Sequence, residues 1–312
     1  MPRVVVMLAM ILALACLSCT EQDQESQAEQ PLVVASKIDT EGALLGQMLV
    51  LLLQDSGFDV QDKTEFGPTN IIREAIISGQ IDIYPEYTGN GAFFFEDIDP
   101  DTWKDSQQAW EKVKELDARE NSLVWLKPAP ANNTWAIAVQ EELSHEEGLE
   151  TLEDMARYVN QGGRVKLACS EEFVSRQDAL PAFMEAYGFE LEQEQLLVLS
   201  GGNTAQTIQA AAQGTSGANF GMAYGTDGAL DALGVEILED SKKVQPVYEP
   251  APVLRQEVYE EHPELEKILA PAFAALDKET LQGLNAQIAV QGRSAEEVAR
   301  EFLQEEGLID SE

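Results

Sequence analysis

From Leu32 to Tyr224 the chain alternates short aliphatic, β-branched runs with stretches of helical periodicity, and this constrains the fold more than any other feature. Strands that alternate with helices pair side by side and are covered by those helices, so the pattern predicts an α/β chain. LVVAS (32–36) reads as a strand, and EGALLGQMLVLLLQDSG (41–57) as a helix with Thr40 as N-cap and Gly57 at its end. FDVQDKTEF (58–66) is extended, TNIIREAIISGQ (69–80) helical and IDIYPEY (81–87) strand-like. TWKDSQQAWEKVKELDARE (102–120) is a long amphipathic helix, followed by strands at LVWLKP (123–128) and WAIAV (135–139). A second α/β set runs through VKLAC, a helix near 174–187, NTAQTIQAAAQG (203–214) and FGMAY (220–224), and from about residue 257 the chain is mostly helical.

Residues 1–19, MPRVVVMLAMILALACLSC, place one Arg before an apolar run and end in small residues and cysteine. That is a secretory signal peptide, too short and wrongly flanked for a resident membrane helix. Its end resembles a bacterial lipoprotein signal, which implies lipidation of Cys19, with Cys16 as the competing site and simple cleavage as the alternative. The following segment (20–31), TEQDQESQAEQ and one more residue, has no apolar run and suits a solvated tether. Beyond the signal only Cys169 remains, so no internal disulfide is expected and the thiol reads as a small buried hydrophobe.

Charge narrows the function classes. With 56 acidic and 20 basic residues the formal charge is −36, and removal of the signal with its Arg leaves 19 against 56, or −37. A chain this acidic cannot neutralise a phosphate backbone, which excludes nucleic acid as a partner, and it gains nothing from anionic lipid, so membrane contact is expected only through the anchor. Self-repulsion on this scale is screened at roughly molar salt, where the Debye length falls to about 3 Å, so a high-salt, halophilic exterior is expected. His145 and His262 lie in acid-rich, surface-like stretches, leaving little for a histidine metal site or a catalytic triad. No dinucleotide or phosphate-loop glycine motif, GxSxG, HExxH or paired CxxC is present. No catalytic residue, metal or cofactor is therefore expected, and a binding protein is favoured over an enzyme.

At SKIDTEGALLGQML (36–49) and GPTNIIREAIISGQIDIYPEYTG (67–89) the chain resembles the glycine betaine/choline-binding proteins of osmoprotectant ABC transporters. NNTWAIAV (132–139), EEFVSRQDALPAF (171–183), YGTDGAL (224–230) and VYEPAPVLR (247–255) continue the resemblance in order. It implies a two-lobed type II periplasmic-binding-protein fold, with a ligand cleft between lobes that close like a hinge. By the same resemblance, 32–132 and 248–312 form lobe one, 133–247 form lobe two, and the crossings fall near Asn133 and Tyr248. The implied partners are a quaternary-ammonium solute, glycine betaine foremost, and an ABC permease with its ATPase. Choline, carnitine or another compatible solute is the alternative, as is a ligand sensor on the same fold.

A trimethylammonium group has no N–H to donate, and aromatic faces attract it while offering little to a strongly hydrated sodium ion. Matching the family's aromatic box to this sequence implies Tyr87, Trp135, Tyr224 and Tyr248. Lys37 and Arg176 fall where a betaine carboxylate is held, Arg176 with bidentate geometry, each with an ion pair to nearby acids such as Asp39, Glu171 or Glu172 as the competing reading. Asn90 stands where some relatives use a Thr to help bind the carboxylate. Asn133 replaces an Asp of some relatives, which favours a zwitterion over choline. Tyr84, Trp103, Trp110 and Trp125 are expected to pack rather than line the site.

Overall fold

The computed structural model describes residues 30–200 and 203–310. Cys16, Cys19 and the expected signal peptide lie outside the described residues. Among the described residues no helix is long and apolar enough to cross a membrane.

The first half runs β1 (Leu32–Lys37), α1 (Thr40–Asp55), β2 (Val60–Gly67), α2 (Thr69–Ile77), β3 (Ile83–Tyr87), α3 (Gly91–Phe94), α4 (Ser106–Glu120) and β4 (Leu123–Trp125). It continues with β5 (Trp135–Gln140), α5 (Glu141–Glu147), α6 (Leu152–Asn160), β6 (Leu167–Ser170), α7 (Glu171–Ser175) and α8 (Leu180–Tyr187). Then come β7 (Leu196–Leu199), α9 (Thr204–Ala212), β8 (Phe220–Tyr224), α10 (Leu230–Leu233) and β9 (Val235–Ile237). The chain closes with β10 (Pro250–Arg255), α11 (Gln256–Glu261), α12 (Leu265–Ala274), α13 (Lys278–Ala289) and α14 (Ala295–Glu305).

The strands form two five-stranded mixed sheets, ordered β2-β1-β3-β10-β4 and β7-β6-β8-β5-β9. In the first, β1 pairs in parallel with β2 and β3, while β10 inserts antiparallel between β3 and β4. The second repeats the scheme, with β6 parallel to β7 and β8, and β5 antiparallel to β8 and β9. Two connections link the sheets, 126–134 and 238–249, and they run alongside each other. The Asn133 amide donates to the Tyr248 carbonyl at 2.8 Å, and the Tyr248 amide to Asn132 Oδ1 at 2.8 Å.

Helix α1 is buried along most of its length because β1 and β2 cover one side and α12, α13 and α14 pack on the other. That explains an apolar run too wide for a one-faced surface helix. Its cap is Asp39, not Thr40: the Asp39 side chain accepts from the Gly42 amide at 2.8 Å and so leaves Thr40 as the first helical residue. The expected helix at 102–120 is a 3₁₀ turn (Pro100–Lys104) and then α4, divided at Asp105, which caps α4 from an extended conformation. The helix near 174–187 is likewise two, α7 and α8, because Arg176 adopts an extended conformation and carries its side chain toward the cleft.

A buried ionic cluster stiffens the first sheet's outer layer. Arg73 on α2 grips Asp117 on α4 with both terminal nitrogens, and the same carboxylate accepts from Trp125 Nε1 at 2.7 Å and Asn121 Nδ2 at 2.8 Å. Trp125, Trp103 and Tyr84 pack as expected, and Trp110 donates to the Leu126 carbonyl at 3.0 Å. Cys169 is buried on β6, and burial pushes its thiol pKa up to about 12.

Candidate functional site

Strand register does much of the assembly. In the second sheet Trp135 on β5 stands directly opposite Tyr224 on β8, and their rings meet edge to face at 5.7 Å. In the first sheet Tyr87, at the end of β3, lies opposite Pro250 of β10, so Tyr248 falls just beyond the paired strands. Gly89 makes room there: a Cβ on it would meet the Tyr248 ring at 2.8 Å.

All eight residues named from the sequence line one cavity: Tyr87, Trp135, Tyr224 and Tyr248, with Lys37, Arg176, Asn90 and Asn133. Measured at the centre of a water-sized sphere the cavity is about 30 Å³. For a compact shape this is a radius of about 1.9 Å, and the sphere's own ~1.4 Å sets the walls about 3.3 Å from the centre. A tetrahedral nitrogen clothed in methyl groups has that size. Trp135 is held on one face by Phe173, stacked at 4.8 Å and 17°. Tyr87, Trp135 and Tyr248 are buried and Tyr224 half-buried. Burial raises the pKa of all three phenols, so they stay neutral and keep their hydrogen-bonding protons.

The two cations are buried and paired. Lys37 Nζ lies 2.7 Å from Glu86 Oε1 and 4.9 Å from the centre of the Tyr87 ring. Its partner is thus Glu86, not the Asp39, Glu171 or Glu172 weighed from the sequence. Glu86 also accepts from Tyr84 and Asn90 and from the Tyr87 amide, which makes it the hub of the YPEYTG turn.

Arg176 is only 5% exposed and uses its donors fully, which a loose surface ion pair would not do. Nε and Nη2 grip Asp178, Nη1 reaches Asn90 Oδ1 at 2.8 Å and Glu172 at 3.0 Å, and Nη2 reaches the Tyr248 hydroxyl at 3.4 Å. Its bidentate grip therefore falls on Asp178 in this structure. Although burial opposes its charge, the carboxylates of Asp178 and Glu172 keep the guanidinium pKa raised. Because Asn90 follows β3 and Arg176 follows α7, their bond spans the cleft between the two sheets. The guanidinium lies 4.4 Å from the Phe93 ring and 5.4 Å from that of Trp135. On its outer side a wider cavity of about 850 Å³ is bordered by Phe93 and Asp178.

Sequence reasoning did not find Glu41, Glu86 or Asp178. An acid inside the otherwise apolar IDIYPEY strand was a usable signal for Glu86; an acid in the first turn of a helix, like Glu41, reads as an ordinary dipole partner. Asp39 and Glu172 line the same wall, and burial, with the charge of Glu172 adding to it, raises the Asp39 pKa.

Two mixed α/β sheets joined by adjacent crossings, with a cleft lined from both, define a two-lobed type II solute-binding protein. The chain matches the family of substrate-binding domains of ABC-type glycine betaine transport systems over residues 30–305, and it belongs to that family. It is a substrate-binding protein and not an enzyme. It is 55% identical over 281 residues to the glycine betaine-binding protein YehZ of Escherichia coli, covering 90% of this chain and 92% of that one. The glycine-betaine-binding protein of Pseudomonas aeruginosa is 33% identical over 302 residues, covering 95% and 94%. The solved structure of apo YehZ superposes with a TM-score of 0.66 at 54% identity, covering 89% of this chain and 99% of that one.

Proposed function

We propose that this chain captures glycine betaine outside the cytoplasmic membrane and delivers it to an ABC permease driven by its ATPase. One observation carries the reading: Tyr87, Trp135, Tyr224 and Tyr248, from separate segments and both sheets, converge on a cavity of trimethylammonium size. At roughly 1–2 kcal/mol per desolvated contact the rings supply about 3–8 kcal/mol gross. Association costs are subtracted from this, so micromolar affinity is expected. The carboxylate of the solute extends toward Lys37, Arg176 and Asn90, where it exchanges with the acids that now hold those donors. The relatives named for glycine betaine support the choice of solute.

In this reading 32–132 with 248–312 and 133–247 are the moving lobes, and ligand favours the closed form because one lobe alone holds half a cage. Lipidation at Cys19 tethers the mature protein to the membrane face through residues 20–31.

Asp39 and Glu172 favour a second reading. With Glu86 and Asp178, which already pair with Lys37 and Arg176, they bring four carboxylates to two cations here, which suits choline as well as a zwitterion. Calorimetric titration of the mature protein with glycine betaine and choline, separately and in molar NaCl, tests both. Saturable betaine binding with weaker choline binding is expected. Choline binding alone keeps the cage and overturns the solute, and binding of neither overturns the function.

A further inference from the structure

Behind the aromatic wall lies a carboxylate for which none of the roles above accounts. Glu41, in the first turn of α1, is 3% exposed, and among the described residues it has no cationic partner. Its two oxygens accept four hydrogen bonds from neutral donors. Oε1 takes the Tyr87 hydroxyl at 3.0 Å and Asn133 Nδ2 at 2.8 Å. Oε2 takes Asn285 Nδ2 at 2.7 Å and the Thr226 hydroxyl.

The donors come from four places: Tyr87 from the end of β3, Asn133 from the first crossing, Asn285 from α13, and Thr226 from the turn after β8 in the second sheet. A buried carboxylate without a countercharge costs stability relative to an apolar residue of similar size, so its use here lies in the geometry it imposes. One consequence is visible at Asn133. With Nδ2 turned to Glu41, the buried Oδ1 has no hydrogen-bond partner, although the residue lines the cavity. An unpartnered acceptor in that wall suits the polarised methyl groups of a quaternary ammonium.

We propose that Glu41 is a positioning residue: it orients the Tyr87 ring and the Asn133 amide toward the solute and, through Thr226, joins that arrangement to the second sheet. Glu41 thereby couples cage geometry to lobe closure. The inference rests on the quaternary-ammonium reading of the cleft.

The test is a double-mutant cycle on the mature protein, with glycine betaine as the probe. Glu41→Ala is expected to weaken binding at least tenfold, and Tyr87→Phe, which keeps the ring but loses the anchor, about threefold. The pair together should lose no more than Glu41→Ala alone, because the phenol has nothing left to hold it. Glu41→Gln retains Oε1 as acceptor and should stay within about threefold of wild type. Thr226→Val, nearly isosteric, removes only the second-sheet bond; it should raise koff several-fold with kon little changed, as the loss of a bond made on closure requires.

Additive penalties, or a folded Glu41→Ala protein that binds like wild type, overturn the positioning role. An unchanged koff in Thr226→Val overturns the coupling, and that variant decides the matter if Glu41→Ala does not fold. Wild type that binds neither betaine nor choline overturns the functional reading together with this one. Wild-type binding with indifferent variants overturns this one alone.

Discussion

Replacing Trp135 by Ala separates the part of the cage that recognises a cation from the part that merely fills space. The side chain is 4% exposed, stacked on Phe173 at 4.8 Å and edge-on to Tyr224 at 5.7 Å. Truncating a buried Trp costs about 3–5 kcal/mol of stability, part of it from the two lost ring contacts. That is tolerable for a domain holding roughly 5–15 kcal/mol.

The binding loss is smaller and of different origin. One desolvated cation–π contact of roughly 1–2 kcal/mol corresponds to about a 5–30-fold rise in Kd. Trp135→Phe keeps a ring over Phe173 and should lose only about threefold. The assay is calorimetric titration with glycine betaine at a temperature where thermal melting shows each variant to be folded. A folded Trp135→Ala protein with wild-type affinity refutes the reasoning, because the ring with the strongest cation-binding face would then contribute nothing.

Asn133→Asp sets a second carboxyl against Glu41, where the two share a proton, so choline affinity should rise relative to betaine only at alkaline pH, where both ionise; a ratio unchanged there defeats the argument that Asn133 favours a zwitterion. Asp117→Ala leaves Arg73 buried and unpaired and should cost about 3–5 kcal/mol in chemical denaturation. Burial raises Glu41 and Asp227 to about 7 each, so between the unfolded carboxylate range and pH 7 the folded state binds more protons than the unfolded one. Their stabilising contribution is full at the acid end of that window and is lost as pH rises through about 7, so the Tm should fall along it, and Glu41→Gln should flatten the slope. At a formal charge of −36 the Tm should also rise with NaCl up to molar concentration, and a midpoint indifferent to salt removes the halophilic expectation.

The sequence by itself determined the α/β class, because strand and helix periods differ and each repeats visibly along the chain. The resemblance to the glycine betaine-binding family singled out the four rings, two cations and two amides by their sequence positions, and all eight line one cavity. The buried roles of Trp103, Trp125, Tyr84 and Cys169 were readable too, since large apolar side chains in β-like or amphipathic runs have nowhere else to go.

What only the tertiary structure decided was who pairs with whom. Lys37 meets Glu86 because β1 and β3 are neighbours in the sheet, and Arg176 meets Asn90 because the two lobes face each other, 86 residues apart in sequence. Glu41 draws Thr226 and Asn285 from 185 and 244 residues away. Local propensity and periodicity act over a few residues, whereas a buried charge takes its partner from whatever the fold brings within about 3 Å. Nothing in the first turn of α1 distinguishes an exposed acid from the one on which both halves of the molecule converge.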